Sequence, residues 1–164
     1  MIERAQSPLY NLTVAAEAAK TVSSIREQMD AARMPQEYRA EILKVVRART
    51  SAGDAATALA IVEAAEAEEM GPALMWIGNC YTRDQNVVGL RYLLNKSELS
   101  EIQAEGLVID LIHGMDMRKD SHLFAKNQGT TQLLVAHKRF SRGARKHLED
   151  QLEHAIKAAN AEEE

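Results

Sequence analysis

Apolar residues along much of the chain recur at spacings of three and four, the pattern of an amphipathic α-helix. The first stripe follows Ser7-Pro8, a dipeptide typical of a helix start. Met34-Pro35 predicts its end, because the residue before a proline is disfavoured in the α region. The stripe from Leu12 to Met29 is heptad-like and therefore predicts a homo-oligomer formed through this helix. Its members are Leu12, Ala15, Ala19, Val22, Ile25 and Met29.

Further helical segments carry recognisable start and stop signals. Asp54 is a good N-cap residue, and Gly71-Pro72 predicts the end of the helix that it begins. Ser100 and Gln103 have the spacing of a capping box. The remaining predicted helices cover about 36–49, two short segments within 73–94 separated by the polar residues 82–85, and 141 to about 159. Another helix, which Ser97 or Ser100 can cap, is predicted to end near Gly114.

The hydrophobic period changes between residues 121 and 137. Two short apolar-containing runs, 122–126 and 131–137, flank a loop that contains Gly129, a pattern typical of a β-hairpin. A helix through Leu133–Phe140 is the alternative. The sequence thus predicts a mainly α fold: one compact domain over residues 1–164, with six or seven helices and one β-hairpin before the last helix.

Composition narrows the class of protein. Alanine is abundant and aromatic residues are few, with one Trp, two Phe and four Tyr, which favours closely packed helices. The single Cys80 cannot form an intrachain disulfide, and we expect it to be a buried, inert thiol in a reducing compartment. No apolar run is long enough to span a membrane, and the N-terminus lacks a signal peptide, so we expect a cytoplasmic protein.

The charges divide the chain into three blocks. Residues 1–117, the predicted helical core, hold 11 basic and 17 acidic residues, a net charge of −6. Residues 118–147, the predicted hairpin and helix start, hold eight basic residues and one acid. Residues 148–164, the rest of the last helix, carry a net charge of −5. A concentrated cationic segment of this kind can attract phosphates, nucleic acid or an acidic protein.

The cations near the start of the last helix are the candidate functional residues. A helix N-terminus with free N–H groups and several cations is a good anion site. We therefore predict a small non-enzymatic protein that contacts nucleic-acid phosphates, or alternatively a helical adaptor whose basic segment binds an acidic protein. The same cations could instead pair within the chain or lie solvated. The predicted nucleic-acid-binding residues are Lys126, Lys138, Arg139, Arg142, Arg145 and Lys146.

A winged helix-turn-helix has a similar order of elements, but its usual docking mode is excluded. The helix before the predicted wing carries four acidic residues, which would repel phosphates. These acids are Glu98, Glu101, Glu105 and Asp110.

Residues 73–81 resemble part of a tetratricopeptide or Sel1-type repeat. Ile77, Gly78 and Tyr81 match the spacing by which those families pack the first helix of a hairpin against the second. A second copy does not occur, and a solenoid needs about three repeats. The resemblance implies helical-hairpin packing, with Gly78 allowing close approach and Trp76 and Tyr81 filling the gap.

Motifs for catalysis or cofactors are not found. His147, Asp150, Gln151 and His154 share one helix face, but two such histidines are more often surface residues than metal ligands. Gly129-Thr130-Thr131 lacks the remainder of a phosphate-binding loop. We therefore predict no metal, no cofactor and no catalytic residue.

Overall fold

The computed structural model describes residues 11–161, so the predicted helix start at Ser7-Pro8 lies outside it. Within these residues the chain forms eight α-helices and no β-strand, which confirms the mainly α prediction. The helices are α1 Leu12–Gln28, α2 Pro35–Ser51, α3 Ala55–Ala65, α4 Gly71–Arg83, α5 Val87–Leu93, α6 Glu101–Gly114, α7 Phe124–Val135 and α8 Arg142–Ala161. None of them combines the length and apolar character needed to cross a membrane.

The chain divides into two compact units, Met1–Cys80 and Tyr81–Glu164. The predicted single domain over residues 1–164 stays a prediction, and the two units are described separately.

In the first unit, α3 packs against both α1 and α2. Asn11 begins α1, because its side-chain oxygen accepts hydrogen bonds from the N–H groups of Thr13 and Val14 at 2.9 and 3.2 Å. The buried face of α1 consists of Ala18, Val22 and Ile25. The predicted stripe was thus correct at its centre and wrong at Leu12, which is 75% exposed, and at Ala19, which is also exposed.

The end of α3 is held by side chains from α1 and α2. The Tyr38 hydroxyl donates to the carbonyl of Ala65 at 2.7 Å, and an Arg26 Nη atom donates to the same oxygen at 3.0 Å. The chain then leaves the helix at Glu66, whose φ of 52° is left-handed. The predicted helix end at Gly71-Pro72 was wrong: these residues begin α4, because proline is tolerated in the first helical turn.

Cys80 is buried, as predicted, and its thiol donates to the carbonyl of Thr50 at 3.3 Å. Trp76 in the same helix lies beneath a cation, with the guanidinium carbon of Arg47 5.0 Å from its ring centroid. These contacts belong to the first unit.

In the second unit, α6 packs against α7 and α8, which also contact each other. The predicted capping box at the start of α6 is confirmed: Ser100 Oγ accepts from the Gln103 N–H, and the Gln103 side chain accepts from the Ser100 N–H. Tyr81, part of the repeat-like fragment, packs on Gly89. A Cβ atom at Gly89 would lie 2.7 Å from the Tyr81 ring, so only glycine fits.

The predicted β-hairpin at 121–137 was wrong, because these residues include helix α7. Its buried residues are Asn127, Thr131, Leu134 and Val135, which have helical spacing. Two of them are polar, and each finds a partner: Asn127 Nδ2 donates to the carbonyl of Asp116 at 3.1 Å, and Thr131 Oγ1 donates to the carbonyl of Asn127 at 2.9 Å. Gly129 lies within the helix and has no positive φ.

Candidate nucleic-acid interface

The turn between α7 and α8, together with the first turns of α8, carries five of the six predicted binding residues. Lys138, Arg142 and Lys146 are exposed, and none of them makes an ion pair with another residue of the described chain. Arg142 and Lys146 are four positions apart on α8 and therefore share a face. We call these three side chains the cationic face.

Lys126 lies away from the cationic face. It is exposed in the first turn of α7, whereas Lys138 follows the end of that helix. Nine residues of helix separate Lys126 from Val135, which corresponds to roughly 14 Å along the axis. The predicted set therefore divides into one cluster and one separate cation.

Arg139 has a structural role. One of its terminal nitrogens, Nη1, donates two hydrogen bonds of 3.1 Å each, and Nη2 donates a third. The acceptors are the backbone carbonyls of Leu94, Lys96 and Leu99, which follow α5. Leu94 is the C-cap of α5, where carbonyls lack partners within the helix, whereas Lys96 and Leu99 lie in the turn that follows. The Lys96 carbonyl also accepts the Leu99 N–H at 3.2 Å. The Arg139 guanidinium joins these three carbonyls and so holds the turn between α5 and α6.

Arg145 is also directed inward. It is half-buried, and an Nη atom donates to the carbonyl of Ala136 at 3.4 Å, at the end of α7. Its buried Nε atom has no hydrogen-bond partner among the described residues. Only four of the six predicted residues are therefore exposed: Lys126, Lys138, Arg142 and Lys146.

The N-terminal end of α8 already binds an anion of the chain itself. Ser141 Oγ accepts from the N–H of Ala144 at 3.2 Å and acts as the N-cap. Glu101, the first residue of α6, accepts from the Ser141 N–H at 3.2 Å and from its hydroxyl at 3.1 Å. An internal carboxylate thus takes the place that the sequence offered to a phosphate.

The same basic segment contains another internal pair before α7. Arg118 Nε and Nη2 bind the two carboxylate oxygens of Asp116 at 3.0 and 2.9 Å, and the Arg118 N–H donates to the same carboxylate. These hydrogen bonds, more than the charge alone, hold the pKa of Asp116 well below its usual range.

His137 lies in the turn beside the cationic face. Its Nδ1 atom accepts the N–H of Arg139 at 3.1 Å, so the neutral ring carries its proton on Nε2. Partial burial lowers the pKa of His137, and the positive charges of Arg139, Lys138 and Arg91 lower it further. The ring also meets Phe140 edge to face, with 6.3 Å between the centroids.

The helix face proposed and set aside as a metal site lies on α8, where His147, Asp150 and His154 are exposed. Between residues 11 and 161, no three His, Cys, Asp or Glu side chains are arranged to hold a metal ion.

The structural roles of two residues in this region were not predicted from the sequence. Glu101 was counted only as an acid that repels phosphates, although it binds Ser141 forty positions away. Arg139 was counted as a free cation. The only signal for its role was its place two residues before Ser141, in the short connection between two helices.

Comparisons of the chain with protein-family models, with curated proteins and with solved structures find no match. The class that the fold defines is an all-α protein over the described residues. A function is therefore inferred from the side chains.

Proposed function

We propose that this is a small non-enzymatic, cytoplasmic protein that contacts nucleic-acid phosphates through the cationic face. The observation that carries the proposal is the exposure of Lys138, Arg142 and Lys146 without an ion-pair partner in the described chain. Lysine and arginine side chains of this kind bind the sugar-phosphate backbone and carry little sequence information. We expect binding that tolerates changes of sequence.

Two of the originally predicted residues have a different place in this proposal. Arg139 and Arg145 donate to backbone carbonyls and hold the turn that carries Lys138 and leads into α8 at Arg142. They act as positioning residues. Lys126 adds a further contact only where a nucleic acid follows the length of α7.

The size of the cationic face sets the expected salt dependence. Three phosphate contacts on duplex DNA give a slope of log affinity against log salt of about −2.7, so affinity falls on the order of 40-fold between about 50 and 200 mM salt. Fluorescence anisotropy with labelled duplex DNA, single-stranded DNA and RNA measures this slope.

A charge-reversal variant tests the face itself. Lys138→Glu, Arg142→Glu and Lys146→Glu together should abolish measurable binding at about 50 mM salt, where the electrostatic contribution is large. The matched control is Lys20→Glu, Arg33→Glu and Lys44→Glu, which changes two exposed lysines and one exposed arginine in the other unit. An equal loss in both variants, or no binding by the unaltered chain, overturns the proposal.

A protein adaptor is the second candidate, favoured by one observation. Ile102 is 80% exposed and follows Glu101, which binds the residue next to Arg142. An apolar side chain beside cations suits an acidic protein partner, because protein interfaces combine an apolar centre with a charged rim. Under this alternative, Ile102→Ser weakens a co-purifying complex that persists after nuclease treatment.

A further inference from the structure

A hollow of about 390 Å³ lies between the turn that follows α5 and the turn that precedes α8. Its lining includes three cations, a histidine and two small polar side chains, and no carboxylate. These residues are Asn95, Lys96, Ser97, His137, Lys138 and Arg139. We propose that this hollow is a phosphate-binding site. The inference rests in part on the proposed function, because Lys138 belongs to both sites.

The backbone carbonyls near the hollow are hydrogen-bonded and therefore do not oppose an anion there. The carbonyls of Leu94, Lys96 and Leu99 would repel a phosphate if they were free, but all three accept hydrogen bonds from Arg139. Arg139 therefore neutralises the negative ends of these peptide groups and leaves a fixed positive charge beside the cavity.

His137 adds a donor. Since its Nδ1 atom accepts the Arg139 N–H, Nε2 carries the proton and is the atom still able to bind a ligand oxygen. Protonation adds a positive charge to the lining and makes Nδ1 a donor as well, so the hydrogen bond from the Arg139 N–H is lost.

Charged groups near His137 come from more than one element. Arg91 belongs to α5, Lys96 to the turn after it, and Lys138 and Arg139 to the histidine's own turn. From α6, Glu101 binds Ser141 rather than the ring. Burial lowers the pKa of His137, and the charges of Arg139, Lys138 and Arg91 lower it further; a phosphate in the hollow would counteract these charges.

This reciprocity gives a direct test on the whole chain. Inorganic phosphate is added at constant ionic strength, and the His137 ring signals are followed by NMR from about pH 5 to 8, a range that brackets its ordinary pKa. A phosphate that binds the protonated ring ~3-fold more tightly raises the titration midpoint by about half a unit at saturation. The ring signals of the exposed His147 and His154 serve as internal references and should respond less.

Three variants separate this site from the cationic face. Lys96 lines the hollow and lies outside the face, so Lys96→Gln should remove the phosphate response, and Ser97→Ala should weaken it. Arg142 belongs to the face alone, so Arg142→Gln should retain the response while lowering nucleic-acid affinity. A phosphate response that persists in Lys96→Gln overturns the proposed phosphate-binding site, as does the absence of a response in the unaltered chain.

The source of the phosphate is resolved by comparing oligonucleotides of one sequence with a 5′-phosphate or a 5′-hydroxyl. A His137 response to inorganic phosphate alone identifies free phosphate as the ligand of the site. A larger response to the 5′-phosphorylated strand assigns it to a nucleic-acid end. Salt-dependent binding of oligonucleotides without any response at His137 refutes the phosphate-binding site but supports the proposed function. A His137 response to phosphate without oligonucleotide binding supports the phosphate-binding site and overturns the proposed function.

Discussion

Glu101 and Ser141 join the start of α6 to the start of α8 through two hydrogen bonds to one carboxylate. One oxygen accepts the Ser141 hydroxyl at 3.1 Å and the other accepts its N–H at 3.2 Å. The carboxylate lies at the positive end of the α8 dipole and near the cations that crowd its first turns. Charges that are unfavourable along the helix are thereby partly offset across the fold.

Glu101→Gln should therefore lower the free energy of unfolding by about 1 kcal/mol, because an ionised acceptor is replaced by a neutral one at a partly exposed site. The urea midpoint measures the change. Glu105→Gln on the same helix is the control, since no hydrogen bond to α8 is lost there. Equal losses in the two variants would show that the Ser141 contact contributes little.

Arg139 should be far more sensitive to substitution than its neighbour Lys138. Arg139→Ala removes a donor from three backbone carbonyls, of which, among residues 11–161, only that of Lys96 also accepts a backbone N–H, from Leu99. We expect a loss of about 2–3 kcal/mol in chemical denaturation. Arg139→Lys should not restore it, since an ammonium group cannot reproduce the planar fork. Lys138→Ala should cost less than about 0.5 kcal/mol, as surface changes usually do. A mild effect of Arg139→Ala would contradict the structural role.

The pH dependence of stability should carry a contribution from His137. Its pKa is lowered in the folded chain, so the unfolded chain binds more protons below the ordinary histidine pKa of about 6.5. The resulting stability is present above that pH and is lost as the pH falls toward the folded pKa.

Urea titrations at about pH 7.5 and 5.5 bracket this window. His137→Gln should reduce the difference between the two midpoints. A difference that is unchanged in His137→Gln would assign the pH dependence to other groups.

The helices were predictable where a local signal existed. The capping box at Ser100 and the polar break predicted at 82–85 depend on residues within a few positions of each other. The capping box is confirmed, whereas the break lies at 84–86, because α4 continues to Arg83 and α5 begins at Val87. Helix α7 was not recognised because two of its four buried residues, Asn127 and Thr131, are polar and do not contribute to an apolar period.

The candidate site was less predictable for a related reason. The partners of Arg139 and Ser141 lie forty or more positions away, and nothing local distinguishes a cation that binds carbonyls from one that lies in water. Charge counting located the basic segment correctly, but the fold determines which of its members remain available to a ligand.

Two glycines offer a matched test of the corrected fold. Gly129 lies inside α7, and apart from the backbone of that helix no atom of residues 11–161 lies within 4 Å of the place where a Cβ would be added. Gly129→Ala should raise the free energy of unfolding by about 0.5–1 kcal/mol, because alanine loses less conformational entropy in a helix. Gly89→Ala should lower it by about 1–3 kcal/mol, since its Cβ would press on the buried Tyr81 ring. Urea denaturation of the two variants measures both changes in the free energy of unfolding.

If residues 121–137 formed a hairpin with Gly129 in its turn, Gly129→Ala would be destabilising instead, because turn glycines adopt positive φ. A stabilised Gly129→Ala variant would therefore distinguish the helix from the hairpin in solution.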